Sequence, residues 1–384
     1  MQLRFSLFCL LLSFSCFLFG QKKFYVSIEL PNNCNLTQLT VFLDDGKTQT
    51  LLKPEIKKNK LIFNGLFYSE YAGILLRHPQ NKRLNYQSSF FLTEKPAIIK
   101  LLKCDSVGSP FASYKLKNAY DFAKEKKEMK GFDSAAIRES QNYLFTYGDR
   151  IFSGNDADSA IAKEFFTKDQ EIYRRDLEYI LQNSQSYYSF WYFRRNIARG
   201  HLMPADSILH IFNEIFPDKY KQSMEGLTVL SFLEGRISVK KNGIAPPFVA
   251  NDVNGRKVSQ NDFIGKKYIL LTFWAPWCEP CIREFPTLKD IYEKYSSQDF
   301  EIISISYDTD YKNYLKVIKK QNMVWTNIFN DVDLINSYGG SQPIPRTYLI
   351  DKFGKIVYEA SIDDKADLQL SNLQKLLSEL FLKK

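Results

Sequence analysis

Residues 268–281 constrain this chain most. Tyr268-Ile269-Leu270-Leu271-Thr272-Phe273 is an apolar run of strand-favouring residues. It leads directly into Trp274-Ala275-Pro276-Trp277-Cys278-Glu279-Pro280-Cys281, after which apolar residues recur at three- and four-residue spacing. A strand that ends in Cys-x-x-Cys and turns into a helix is the arrangement thiol–disulfide exchange requires. The attacking species is a thiolate, so the protein must lower a cysteine pKa from about 8.5. Cys278 stands where free N–H groups and the positive end of a helix dipole point at its sulfur. Pro280 fits the first helical turn, where an N–H has no helical acceptor. Cys281, one turn further on, can reach back and resolve a mixed disulfide on Cys278. The competing use of such a pair, half of a zinc site, needs two further Cys or His at suitable spacing, and none lies near. No metal and no cofactor are expected.

The chain has 384 residues, room for two or three domains. Its formal charge is +9, but the basic residues are scattered in short pairs such as Lys57-Lys58, Arg174-Arg175 and Lys319-Lys320. No basic stripe interleaved with aromatics is present, which argues against nucleic acid as a partner. At the N-terminus, Arg4 precedes an apolar stretch over residues 5–19 and then Gly20-Gln21-Lys22-Lys23. That pattern reads as an export signal over residues 1–20, too short for the roughly 20 apolar residues of a spanning helix. Cys16, after Ser13-Phe14-Ser15, offers the alternative of a lipoprotein-type cleavage and a lipid anchor. Beyond the signal four cysteines remain: Cys34, Cys104, Cys278 and Cys281. Cys34 and Cys104 lie near the two ends of one candidate domain and are candidates for a structural disulfide or for two unpaired thiols.

Residues 22–105 read as a small all-β domain. Phe24, Val26, Ile28 and Leu30 alternate with polar residues, and short runs follow at 39–43, 61–63, 73–76, 89–92 and 97–102. Asp44-Asp45-Gly46 and Asn64-Gly65 are the expected turns. The pattern suggests an antiparallel β-sandwich. Residues 111–237 switch to helical spacing, with helices expected over 114–129, 136–147, 157–181, 189–197, 206–216 and 219–237. Within them residues 187–193 form the most aromatic stretch, either core between helices or a docking face for a partner. Residues 238–247 contain Gly243 and Pro246-Pro247 and read as a linker. Residues 248–384 run in an α/β rhythm, a mixed sheet covered on both faces. His78, His201 and His210 have no companions at ligand spacing.

Residues 244–384 resemble the thioredoxin superfamily, in its exported TlpA/ResA-like, AhpC/TSA-type branch. The resemblance rests on Trp274 to Cys281, on Pro286 five residues after Cys281, on Ile344-Pro345-Arg346-Thr347, and on the turn Leu349-Ile350-Asp351-Lys352-Phe353-Gly354-Lys355-Ile356. It implies a C-terminal α/β thioredoxin fold and catalysis by Cys278 and Cys281. It also implies a cis peptide at Pro345 facing the cysteines, with Trp274, Trp277, Glu279 and Pro280 in support. Thr272 departs from the pattern of classical thioredoxins, which keep a buried acid there. Glu284, three residues after Cys281, matches a glutamate of ResA-like proteins; a carboxylate there would act as acid and base or tune the cysteines, unless it is a solvated helix residue. More weakly, the whole chain resembles multidomain oxidoreductases of Bacteroidetes.

The implied activity is reduction of disulfides in exported proteins, with re-reduction by a membrane thiol–disulfide donor. The setting is the periplasm or cell envelope, in cell redox homeostasis of the cytochrome c maturation kind. Oxidase or isomerase action, thiol peroxidase chemistry, and a binding module with an accessory redox domain stay open as alternatives. Peroxidatic chemistry needs Thr or Ser about three residues before the cysteine, where this chain has Ala275.

Overall fold

The protein is described from a computed structural model, which covers residues 20–31, 39–79, 85–103, 109–131, 134–151, 156–200, 202–340, 343–361 and 370–381. The expected signal with Cys16, the pair Cys34 and Cys104, and His201 lie outside the described residues.

The N-terminal part contains β1 (Lys22–Glu29), β2 (Thr40–Asp44), β3 (Gln49–Leu51), β4 (Glu55–Lys57), β5 (Lys60–Phe67), β6 (Ala72–Pro79), β7 (Asn85–Leu92), β8 (Ala97–Leu101), β9 (Tyr114–Lys117) and β10 (Ala119–Tyr120). They form two five-stranded sheets, ordered β4-β5-β1-β8-β9 and β10-β7-β6-β2-β3. The alternation of Phe24, Val26 and Ile28 turns those side chains into one core with Leu43, Phe63, Ile74, Phe90 and Ile99. Three details differ from the sequence reading. The sandwich is not wholly antiparallel, because β8 returns from the second sheet and pairs parallel to β1. Asn64-Gly65 is not a turn but lies inside β5; Phe24 lies against this glycine, 2.8 Å from where a Cβ would sit. Residues 114–120 are strands rather than the start of a helix: Tyr114 and Leu116 alternate with Lys115 and Lys117, a period of two that suits an edge against β8.

The helical part contains α1 (Ala123–Gly131), α2 (Ser134–Ile151), α3 (Ser159–Gln182), α4 (Tyr187–Tyr192), α5 (Ala205–Ile215), α6 (Asp218–Lys221) and α7 (Met224–Ser238), with a π-turn over Phe193–Ile197 directly after α4. The expected helix over 219–237 is two helices, because Ser223 caps a new one by accepting from Gly226 N–H at 3.0 Å. The aromatic stretch is core: Tyr187, Tyr188, Phe190, Trp191 and Phe193 are buried with Phe212, Phe216 and Tyr220. Phe91 of β7 belongs to the same cluster, its ring edge-on to Trp191 at 5.0 Å, so sandwich and helices share a packed boundary.

The C-terminal part contains β11 (Val249–Asn251), β12 (Lys257–Ser259), β13 (Tyr268–Trp274), α8 (Glu279–Tyr295), β14 (Phe300–Ser306), α9 (Tyr311–Gln321), β15 (Thr326–Phe329), α10 (Val332–Ser337), β16 (Arg346–Ile350), β17 (Ile356–Ser361) and α11 (Ser371–Phe381). β11 and β12 form a hairpin, and the main sheet runs β15-β14-β13-β16-β17. β13, β14 and β15 are parallel and β16 and β17 antiparallel. β13 is central and buried from Ile269 to Trp274, which is why its sequence is continuously apolar. The expected linker is bonded to this part: Asn242 N–H donates to Ile356 at 2.8 Å, Ala245 N–H to Gly354 at 2.8 Å, and the Tyr338 hydroxyl to Pro246 at 3.2 Å. Helix α7 packs on the turn after α10. A Cβ at Gly235 would sit 2.3 Å from the Ser337 carbonyl oxygen, and one at Gly340 would sit 2.5 Å from the Phe232 ring. No helix among the described residues is long and apolar enough to cross a membrane.

Sandwich and helices are also joined by charge. Arg194, buried, forms an ion pair with Asp44 at the end of β2 and lies 3.2 Å from Glu225 of α7, which accepts from the Tyr187 hydroxyl at 3.0 Å. Burial pushes the Glu225 carboxyl from its ordinary 4.5 up to about 7, against the pull of Arg194. Burial also acts on Asp44, but Arg194 and Arg195 outweigh it and hold that carboxyl below its ordinary value. A carboxyl raised on folding favours the folded state when protonated. Its contribution is therefore fully present below about 4.5 and lost as pH rises through about 7. Glu225→Gln abolishes that loss. Between pH 5 and 7.5 the melting temperature of the wild type is expected to fall relative to the variant; melting curves that stay parallel across this range would contradict the assignment.

Candidate active site

Strand β13 ends at Trp274, four residues turn, and helix α8 begins at Glu279. Cys278 is the N-cap, with extended backbone (φ −87°, ψ 94°) and Pro280 in the first turn. A cap must offer an acceptor to the unpaired N–H groups of the first turn. Here the acceptor is sulfur: the Cys281 N–H donates to Cys278 Sγ at 3.2 Å. The two cysteines are joined as a disulfide. Both are nearly enclosed, Cys278 at 5 % exposure and Cys281 at 1 %.

The opposing wall is the loop before β16. The Ile344–Pro345 peptide is cis, and the Ile344 carbonyl oxygen lies 3.7 Å from Cys278 Sγ. The sulfur thus sees two opposite influences once reduced. The α8 N–H groups favour a thiolate, whereas the Ile344 oxygen disfavours one and accepts the S–H of the thiol. Trp274 is fully buried, edge-on to Phe285 at 5.1 Å and stacked over Tyr314 at 6.0 Å, so it anchors the end of β13 under the helix. Trp277 is the reverse, 66 % exposed beside the disulfide, an apolar surface open to solvent.

The other sequence candidates separate. Glu279 is exposed and pairs with Arg283 one turn on, at 2.8 Å. Glu284 is half-buried on α8, one turn beyond Cys281, and Pro286 interrupts the same helix. Thr272, in the place of a buried acid, accepts from the Thr347 hydroxyl across the β13–β16 ladder at 3.3 Å. Both threonines are buried.

Two contributors had no sequence signal. Thr347 gains its role only from its register opposite Thr272. Tyr307, just after β14, donates its N–H to the Trp274 carbonyl at 2.8 Å and its hydroxyl to the Gly340 carbonyl at 2.9 Å. It ties the end of the strand that leads into the cysteines to the turn at Gly340. Its burial, deep among rings, pushes its hydroxyl well above the ordinary phenol value, so it stays a neutral donor.

Replacing Thr272 by Val leaves the buried Thr347 hydroxyl without that partner, a cost of about 1–2 kcal/mol. The double variant Thr272→Val/Thr347→Val removes both polar groups and is expected to recover most of it. Urea unfolding of the three proteins checks this; additive costs in the double variant would show that the two hydroxyls do not act as a pair.

Comparison with known proteins bears on the same region. The AhpC/TSA family model matches residues 242–359. Thiol-disulfide oxidoreductase ResA of Bacillus thuringiensis subsp. konkukian is 39% identical over 118 residues, 30% of this chain and 66% of that protein. ResA of Geobacillus thermodenitrificans is 33% identical over 133 residues, 34% of this chain and 75% of that protein. This chain spans about two thirds of the length of the first of these relatives. Among solved structures, the thioredoxin domain of a thiol-disulfide oxidoreductase from Bacteroides vulgatus is 30% identical, with 36% of this chain and 99% of that one covered and a TM-score of 0.32.

Proposed function

The chain belongs to the ResA-like, AhpC/TSA-type redoxins of the thioredoxin superfamily, and on that premise we propose that it is an exported thiol–disulfide oxidoreductase that reduces disulfides in other proteins. The observation that carries the reading is the Cys281 N–H donating to Cys278 Sγ at the head of the 17-residue helix α8. A sulfur that already accepts an N–H hydrogen bond and faces a helix N-terminus is poised to carry negative charge.

In the reduced protein, the Cys278 thiolate attacks one sulfur of the substrate disulfide. A Cys278–substrate bond forms, the substrate S–S bond breaks, and the departing substrate thiolate takes a proton from solvent. Cys281 then loses its proton and attacks Cys278 Sγ, expelling the second substrate sulfur as a thiolate. Two electrons have passed to the substrate, and Cys278 and Cys281 are left in the disulfide form. A dithiol donor, in this reading a membrane protein on the exported side, restores them. Thr272 has no carboxylate to take the Cys281 proton; Glu284, half-buried one turn away on α8, is the proposed acceptor. Trp277 and the Ile344–Pro345 loop provide the apolar and backbone surfaces against which a substrate segment rests.

With dithiothreitol as electron source, the protein is expected to accelerate insulin reduction at least tenfold over dithiothreitol alone. Cys278→Ser is expected to abolish the effect, while Cys281→Ser accumulates a mixed disulfide on Cys278 that mass spectrometry identifies. Failure of the wild type to accelerate insulin reduction, together with no adduct on Cys281→Ser, would overturn the reading. Glu284→Gln is expected to slow turnover with the first attack by Cys278 unchanged; turnover equal to that of the wild type would leave proton transfer to water.

A further inference from the structure

The helices cover one sheet of the sandwich and leave the other open. Phe91 of β7, in the second sheet, belongs to the helical core, whereas Tyr25 and Leu66, outward residues of the first sheet, are exposed. Strand register shows what the open face carries. Lys57, Lys60, Glu29, Lys100 and Lys115 are directly paired in one row across all five strands, β4-β5-β1-β8-β9. Glu29 pairs with Lys60 at 2.6 Å and with Lys100 at 3.8 Å, so these side chains share one side of the sheet. Directly opposed residues lie on the same face. That face therefore also takes Lys117 opposite Ile98, Glu55 opposite Ile62, and Lys23 opposite Leu66.

Six lysines thus share the face with two carboxylates, Glu29 and Glu55. Counting Glu70 and Glu94 of the bordering loops, and none of those loops' lysines, still leaves six against four. The arrangement is a cost to the isolated fold. Lys57 stands directly opposite Lys60, and Lys100 directly opposite Lys115, and like charges so placed are destabilising. Lys60 and Lys100 share the single carboxylate of Glu29. Between the charges the face is apolar. Ile62, outward between Glu55 and Ser27, is nearly buried, as expected where long lysine stems lie over apolar surface.

We propose that this face docks on a membrane surface of anionic phospholipid, with the lysines at the headgroups and Tyr25 and Leu66 between them. A row of point charges on an open sheet matches an extended anionic surface, and the attraction acts within a Debye length of about 8 Å at physiological ionic strength. The order of the chain favours a membrane over an acidic protein as the partner. The apolar residues 5–19 precede β1, the central strand of this sheet, and only Gly20, Gln21 and Lys22 separate them from Lys23. Three residues span at most about 10 Å, so a bilayer that holds that stretch lies beside the face. The docking does not depend on the activity of the cysteine pair.

Co-flotation of the full-length protein with vesicles of phosphatidylcholine alone, and of phosphatidylcholine with about one third phosphatidylglycerol, tests this. Insertion of the apolar N-terminal stretch contributes to both alike, so the ratio of the two is the readout. Binding to the anionic vesicles is expected to be at least about tenfold tighter, and the difference to vanish at about 1 M salt. Lys100→Gln/Lys115→Gln/Lys117→Gln is expected to reduce that ratio about tenfold. Lys312→Gln/Lys316→Gln/Lys319→Gln removes the same charge from exposed positions of α9 and is expected to leave the ratio within about twofold. The replaced lysines are exposed, and unchanged melting curves confirm that both variants fold. Equal binding to the two vesicle compositions, or an equal loss in the α9 variant, would overturn the proposal. Retention on immobilised polyglutamate without preference for anionic vesicles would overturn it too, by assigning the face to an acidic protein.

Discussion

Everything at the redox centre follows from one contact, the Cys281 N–H directed at Cys278 Sγ. A helix leaves its first N–H groups without partners, and a cap residue must answer them. Most caps use oxygen. Here the cap is a cysteine, so the backbone need that starts α8 is met by the atom proposed to carry out the chemistry. The stronger that sulfur is as an acceptor, the better the cap, which links thiolate formation to helix stability. The buried strand β13 fixes where the helix starts, and fully buried Trp274 holds the strand end in place. The carbonyl of Ile344 across the groove opposes the helix, so the reactivity of Cys278 is set by a balance between α8 and the cis-proline loop.

That loop does not stand alone. The turn before it carries Gly340, pressed by the Phe232 ring of α7 and bonded to the Tyr307 hydroxyl. Helix α7 in turn holds Glu225 in the buried cluster with Arg194 and Asp44. A chain of packed and hydrogen-bonded groups therefore runs from the end of β2, through the helices, to Gly340 and, by way of Tyr307, to the Trp274 carbonyl at the end of β13. This continuity gives the sandwich and helices a physical route to influence the cysteines, apart from any partner they hold. A buried ion cluster with a carboxyl raised to about 7 is costly to assemble, and it joins the end of β2 to the helices at one fixed point.

Legibility in the sequence varied with the range of the interactions. The redox element was legible because strand, cap and helix are contiguous and local in cause: an apolar run, a Cys-x-x-Cys and a proline in the first turn. The bulk of the β and helical patterns was legible for the same reason. The errors arose where tertiary contacts override local signals. Asn64-Gly65 looked like a turn, but the glycine is there to admit the Phe24 ring. The alternation over residues 114–117 was too short to stand against the helical spacing that follows it, and only the free edge of β8 makes it a strand. Arg194 and Arg195 carry no local signal, because nothing adjacent to them hints at Asp44, 150 residues before Arg194. The Thr272–Thr347 pair likewise exists only through strand register.

The most direct measurement of the central claim is the pH dependence of Cys278 alkylation by iodoacetamide in the fully reduced protein, followed site by site by mass spectrometry. If the α8 N-terminus stabilises the thiolate, Cys278 reacts ahead of Cys281 with a midpoint at least one pH unit below the roughly 8.5 of a free cysteine. A Cys278 midpoint at or above that value, or Cys281 reacting first, would contradict it.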